Sequence, residues 1–84
     1  MVKRSKILAK VQSGSKNIRF TEFQALLEGY GFVLDRINGS HHIYAHKVVP
    51  QRLTAVPEKD GSAKPYQIRQ LLKYVQEYEL RLED

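Results

Sequence analysis

Two residues, Asn38 and Gly39, limit what this chain can fold into more than any others. Both tolerate positive φ, and Asn-Gly between two runs containing apolar residues is the strongest short signal for a β-hairpin. The flanking runs suit strands: Phe32-Val33-Leu34-Asp35-Arg36 before the turn, His41-His42-Ile43-Tyr44-Ala45 after it. A rigid hairpin then holds two imidazoles beside its tip.

A loop of Asn38-Gly39, or of Ile37 to Ser40, sets Arg36 opposite His41, Asp35 opposite His42, Leu34 opposite Ile43 and Phe32 opposite Ala45. Side chains alternate along a strand. Phe32, Leu34, Ile43 and Ala45 are therefore expected on one apolar face that becomes Arg36 and His41 at the tip. Val33, Asp35, His42, Tyr44 and His46 are expected on the other face, toward solvent.

The remaining elements assemble around this hairpin. Lys3 to Gln12 reads as a helix with Ile7, Leu8 and Val11 on one side, ending at Gly14, and its thin stripe suits an appendage docked on the body. Ser13 to Asn17 is linker-like. Thr21 opens a second helix, with Gln24 completing a capping box, Phe23, Leu26, Leu27 and Tyr30 facing inward, and Gly31 as the stop. Leu53 to Val56 reads as a third strand, closed by Pro57. After the polar loop Lys59 to Lys64, Pro65 opens a last helix to about Glu79, with Ile68, Leu71, Leu72 and Val75 inward. Apart from the N-terminal helix the order is helix, three strands, helix. The fold class is α+β: a three-stranded antiparallel sheet covered on one face by two helices.

Eighty-four residues make one domain with one modest core, here a basic extension over 1–17 and a body over 18–84. There is no twenty-residue apolar run and no signal-peptide pattern at Met1. The chain has no cysteine, which removes disulfides, thiolate zinc sites and cysteine nucleophiles, and suits a cytoplasmic location. Net charge is +5, and residues 1–19 carry six basic side chains and no acidic one. The C-terminal end is acidic instead, with Glu77, Glu79, Glu83 and Asp84 against Arg81. A positive surplus on so small a chain favours polyanion partners, nucleic acid among them, through phosphate contacts.

The three histidines invite a metal, but their spacing opposes one. Adjacent His41 and His42 point to opposite faces of a strand, and His42 and His46 lie roughly 13 Å apart at about 3.3 Å per residue. Neither pair can grip one ion, so neither a metal nor a cofactor is expected. General acid–base chemistry is the better fit. An imidazole titrates near neutral pH, and RNA offers a 2′-hydroxyl beside every phosphate. His41 is the candidate general base. Arg36, if opposite, would disfavour the imidazolium and stabilise charge on the attacked phosphate. Gly39 permits close backbone approach and Ser40 can donate to phosphate. His42 facing Asp35 reads as an ordinary surface pair, and His46 has no assigned role. Lys59, Lys64 and Arg69, around the start of the last helix, form a candidate RNA-binding seat. Tyr44 and Tyr66 are able to stack on bases. A non-catalytic RNA-binding module and a protein-interaction element are the alternative classes.

Gly39-Ser40-His41-His42-Ile43-Tyr44, after Gly31-Phe32-Val33-Leu34 and Arg36 and before Lys64-Pro65, resembles the HicA toxins, small mRNA interferases encoded beside HicB antitoxins. The likeness covers about Thr21 to Val75. It implies a double-stranded-RNA-binding-domain-like α-β-β-β-α fold, ribosome-independent cleavage of mRNA, a HicB-like antitoxin as protein partner, and a catalytic histidine directly after Gly-Ser, here His41. The basic segment before Thr21 is additional to the short family core. The loop Lys47 to Gln51 lacks the His-Pro-type turn often found there.

Overall fold

The structure, a computed structural model, describes residues 3–83. Its elements run α1 (Arg4–Gln12), α2 (Phe20–Gly29), β1 (Val33–Asn38), β2 (His41–Ala45), β3 (Leu53–Ala55) and α3 (Pro65–Glu77). Met1 and the acidic Asp84 lie outside the described residues.

All three helices end by one device, a residue of positive φ that lets the following N–H turn back on the last helical turn. After α2 this residue is Gly31, at φ +95°, and the Phe32 N–H donates to the Leu27 carbonyl at 3.0 Å. Gly14 occupies the same position after α1 and Glu79, at φ +53°, after α3. The start of α2 differs from the expected Thr21–Gln24 capping box. The helix begins one residue earlier, so that Phe20 enters the core while Thr21 stays exposed. The cap is Glu22, whose Oε1 accepts the Arg19 N–H at 2.8 Å. Its other oxygen lies 3.0 Å from Lys10 Nζ of α1.

The sheet is antiparallel in the order β1-β2-β3. One face is backed by α2, where Gln24 Nε2 donates to Tyr44 Oη at 3.2 Å, and by α3, where buried Gln67 accepts the Val56 N–H at 3.1 Å. Phe23, Leu26, Leu27, Phe32, Tyr44, Leu53 and Leu71 form the centre of the core. This is the expected α-β-β-β-α arrangement, preceded by α1. That first helix is bound into the body more firmly than an appendage: Ile7 is buried in the same core. The C-terminal tail doubles back to it, with the Glu83 N–H donating to the Gly29 carbonyl at 2.8 Å and Arg4 Nη1 donating to the Glu83 carbonyl at 3.2 Å.

The hairpin departs from the expected register. Asn38 pairs with His41, Ile37 with His42 and Arg36 with Ile43; then Leu34 pairs with Tyr44 and Val33 with Ala45, leaving Asp35 as a bulge. Two causes act together. The loop is Gly39-Ser40, with positive φ at Gly39 (+64°) and not at Ser40, the pattern of a II′ turn. The extra residue in β1 then flips the face relationship between the strands. Phe32 points inward as expected, but on β2 it is Tyr44 and His42 that turn to the helices. Ile43 and His41 turn away.

Candidate active site

His41 is exposed at the hairpin tip, on the sheet face that the helices leave open, and among the described residues no hydrogen bond or ion pair holds its ring. The expectation of His41 on the core-side face is therefore corrected. Its neighbour takes that place. The His42 ring lies edge-on to Phe20 with centroids 5.1 Å apart, and its Nδ1–H donates to the Ser40 carbonyl at 3.1 Å. Asp35, expected opposite His42, instead engages Arg52 and Arg36. His46 is also structural: Nε2–H donates to the Tyr30 carbonyl at 2.9 Å, Nδ1 accepts the Val48 N–H at 3.0 Å, and the ring sits 4.9 Å from that of Phe32.

Arg36 does not stand opposite His41. It pairs with Ile43 on the same open face, diagonal to His41, and its Nε lies 3.6 Å from Asp35 Oδ2. Gly39 and Ser40 are exposed beside His41, and a Cβ built at Gly39 meets nothing within 4 Å. A phosphate can thus approach the turn backbone, the Ser40 hydroxyl and the His41 imidazole together.

The fold brings two helix N-termini to this same end. Residues 18–20 pair with the loop before α3: the Phe20 N–H donates to the Gly61 carbonyl at 2.9 Å, and the Ala63 N–H to the Ile18 carbonyl at 2.8 Å. Phe20 touches His42, while Ala55, paired with His42, leads to Val56 and its bond to Gln67 in the first turn of α3. The starts of α2 and α3, each with partial positive charge, therefore lie on the His42 side of the hairpin, while His41 points to the opposite face.

Of the predicted RNA-binding residues, Lys59 and Lys64 line an open hollow of about 650 Å³ with Lys16, but Glu58 and Asp60 line it too. Lys64 Nζ lies 3.4 Å from Glu58. Arg69 is exposed and lines a neighbouring groove of about 480 Å³ between α1 and α3. Tyr44 is removed from base stacking, because it is 1% exposed. Burial pushes its phenol above the ordinary value, partly offset by the Gln24 hydrogen bond. Tyr66 remains exposed at the start of α3.

Sequence reasoning missed Arg52. Its spacing from Thr54 places it on the outward face of β3, a signal present in the sequence; its meeting with Asp35 depends on the bulge, which no residue in β1 announces. Among the described residues no group of three or more His, Asp or Glu side chains is placed to hold a metal, and no helix is long and apolar enough to cross a membrane.

No curated protein and no solved structure matches the chain. A family model described as HicA toxin of bacterial toxin-antitoxin matches residues 20–76, from the first residue of α2 to the last turn of α3. That match spans well over half of the chain and all of the hairpin that carries His41. The chain belongs to the HicA toxin family of bacterial toxin–antitoxin systems.

Proposed function

We propose that this toxin is an endoribonuclease acting on mRNA in the cytoplasm, without metal or cofactor, and that His41 is its general base. The observation carrying this reading is that His41 is an exposed imidazole untethered by its neighbours, beside the hairpin turn on the open face of the sheet. His41 takes the proton of a 2′-hydroxyl, and that oxygen attacks the adjacent phosphorus. The bond to the 5′-oxygen breaks, leaving a 2′,3′-cyclic phosphate, and the departing oxygen takes a proton from solvent. Gly39 gives the phosphate room, Ser40 donates to it, and Arg36 offsets its growing negative charge from the diagonal position. Lys59, Lys64 and Arg69 hold flanking phosphates.

The family implies a cognate antitoxin. In this reading a HicB-type protein covers the hairpin end, since masking one exposed side chain suffices to stop the reaction.

Purified protein incubated with RNA and a chelator is expected to yield fragments ending in 2′,3′-cyclic phosphate, and His41→Ala is expected to yield none while keeping its circular dichroism. RNA binding without cleavage by the unaltered chain would instead mark a binding module. Full activity in folded His41→Ala would remove the base from its role.

A further inference from the structure

The open sheet face carries a charged cluster that the general-base step does not use in full. The bulge turns Asp35 and Arg36 to one side, both against Ile43. Arg52 precedes buried Leu53 and so shares the outward side with Thr54. Asp35 Oδ2 lies 3.0 Å from Arg52 Nε and 3.6 Å from Arg36 Nε. Because β2 separates β1 from β3, the Asp35–Arg52 pair spans it. Two guanidiniums thus share one carboxylate oxygen. Both side chains are more than half exposed, at 64% for Arg36 and 56% for Arg52, and their terminal N–H groups are unused among the described residues.

We propose that Asp35, Arg36 and Arg52 form a second phosphate seat, so that single-stranded RNA lies along β2 with the cleaved phosphate at His41 and a neighbouring phosphate on the two arginines. The inference rests on the RNA-cleaving reading above. Arg36 is diagonal to His41, about 7–8 Å away across the strand pair. The level of Arg52, beside Ala45, lies roughly 13 Å from His41 along β2 at about 3.3 Å per residue. Between the two positions lie half-buried Ile43 and Thr54, which offer no competing charge. A planar guanidinium presents paired donors that match phosphate oxygens. Asp35 is a positioning residue: it cancels the repulsion between two adjacent cations and holds Arg52 across the sheet.

The test titrates the full-length His41→Ala chain, which leaves RNA intact, with a labelled single-stranded oligoribonucleotide and with a dinucleotide too short to reach Arg52. Adding Arg52→Gln is expected to weaken the oligonucleotide about tenfold, lower its salt slope by about one and leave the dinucleotide unchanged. Arg52→Lys restores part of the loss. Asp35→Asn is the sharper variant. It makes the face more positive, so a simple charge effect would tighten RNA, whereas loss of positioning weakens it severalfold. Lys73→Gln, at an exposed cation of α3, leaves both affinities unchanged. Undiminished oligonucleotide binding in folded Arg52→Gln, or tighter binding in Asp35→Asn, overturns the seat alone. Failure of the His41→Ala chain to bind any RNA overturns the seat together with the RNA-cleaving reading.

Discussion

The His42 ring stands edge-on to Phe20, the first residue of α2, with centroids 5.1 Å apart, while its Nδ1–H is tied to the Ser40 carbonyl. This contact decides the chemistry of the hairpin. With Tyr44 buried on the same side, it marks which side of β2 meets the helices, and His41 therefore takes the open face.

The two adjacent histidines should therefore respond oppositely to truncation. His42→Ala loses an aromatic contact and a tether, and is expected to cost about 1–2 kcal/mol of stability. His41→Ala removes only exposed surface and should change stability by less than about 0.5 kcal/mol, while abolishing cleavage. Urea unfolding of the two variants, beside an RNA cleavage assay, measures both. A larger stability loss at His41 would contradict the observed faces.

Much of the fold was legible because helix periodicity and stop signals survive any detail of packing. Phe23, Leu26 and Leu27 lie inward on α2, and Gly31 and Pro65 bound their helices as expected. The register was not legible. A single bulged residue reverses the face relationship between two strands, and Asp35 is neither Gly nor Pro and gives no warning. The error reached the site: it put Arg36 opposite His41 and left Tyr44, a core residue, available to RNA. The place of His41 beside the turn, by contrast, does not depend on the pairing. Arg52 could not be linked to Asp35 without knowing the register, since the two are seventeen positions apart.

Gly31 and Gly39 both take positive φ, yet substitution at each meets a different environment. A Cβ at Gly31 lies 3.0 Å from His46 Nε2, whose ring is held by Tyr30, Val48 and Phe32. Gly39 faces open space. Gly39→Ala should cost only the backbone term, about 1–2 kcal/mol. Gly31→Ala should cost at least 1 kcal/mol more, because it also displaces the imidazole. Equal losses in thermal or urea unfolding would show that His46 yields without penalty.

Glu22 makes stability depend on acid. The Arg19 N–H, helped by the Lys10 ammonium, holds its carboxyl below the ordinary value of 4.5, against partial burial that pushes it up. A carboxyl held low when folded gains its proton in the unfolded chain first. Its contribution is thus complete above about pH 4.5 and is lost as pH falls through the lower folded value. Glu22→Gln, a neutral isostere, is expected to destabilise by about 0.5–1 kcal/mol at neutral pH, with the gap closing as pH falls below 4.5 through the lower folded value. A gap independent of pH would assign the cap to shape alone.

Glu79 offers the converse case, a position where the chain carries a residue its backbone resists. It follows α3 at φ +53°, and the Leu80 N–H donates to the Val75 carbonyl at 3.0 Å, so the left-handed conformation is built into the helix end. A residue with a Cβ bears about 1–2 kcal/mol of strain there, which glycine avoids. Glycine in turn loses about 0.4–1 kcal/mol through greater freedom of the unfolded chain. The balance favours the folded state, so Glu79→Gly is expected to raise stability by about 0.5 kcal/mol. The position is exposed and its side chain has no ion pair among the described residues, so no contact is lost in exchange. A urea midpoint that rises with an unchanged slope is the expected result, and RNA cleavage should be unaffected because α3 ends far from the hairpin tip. A fall in midpoint would mean that the tail after Glu79, which ties α2 to α1 through Glu83, needs the stiffer residue to find its place.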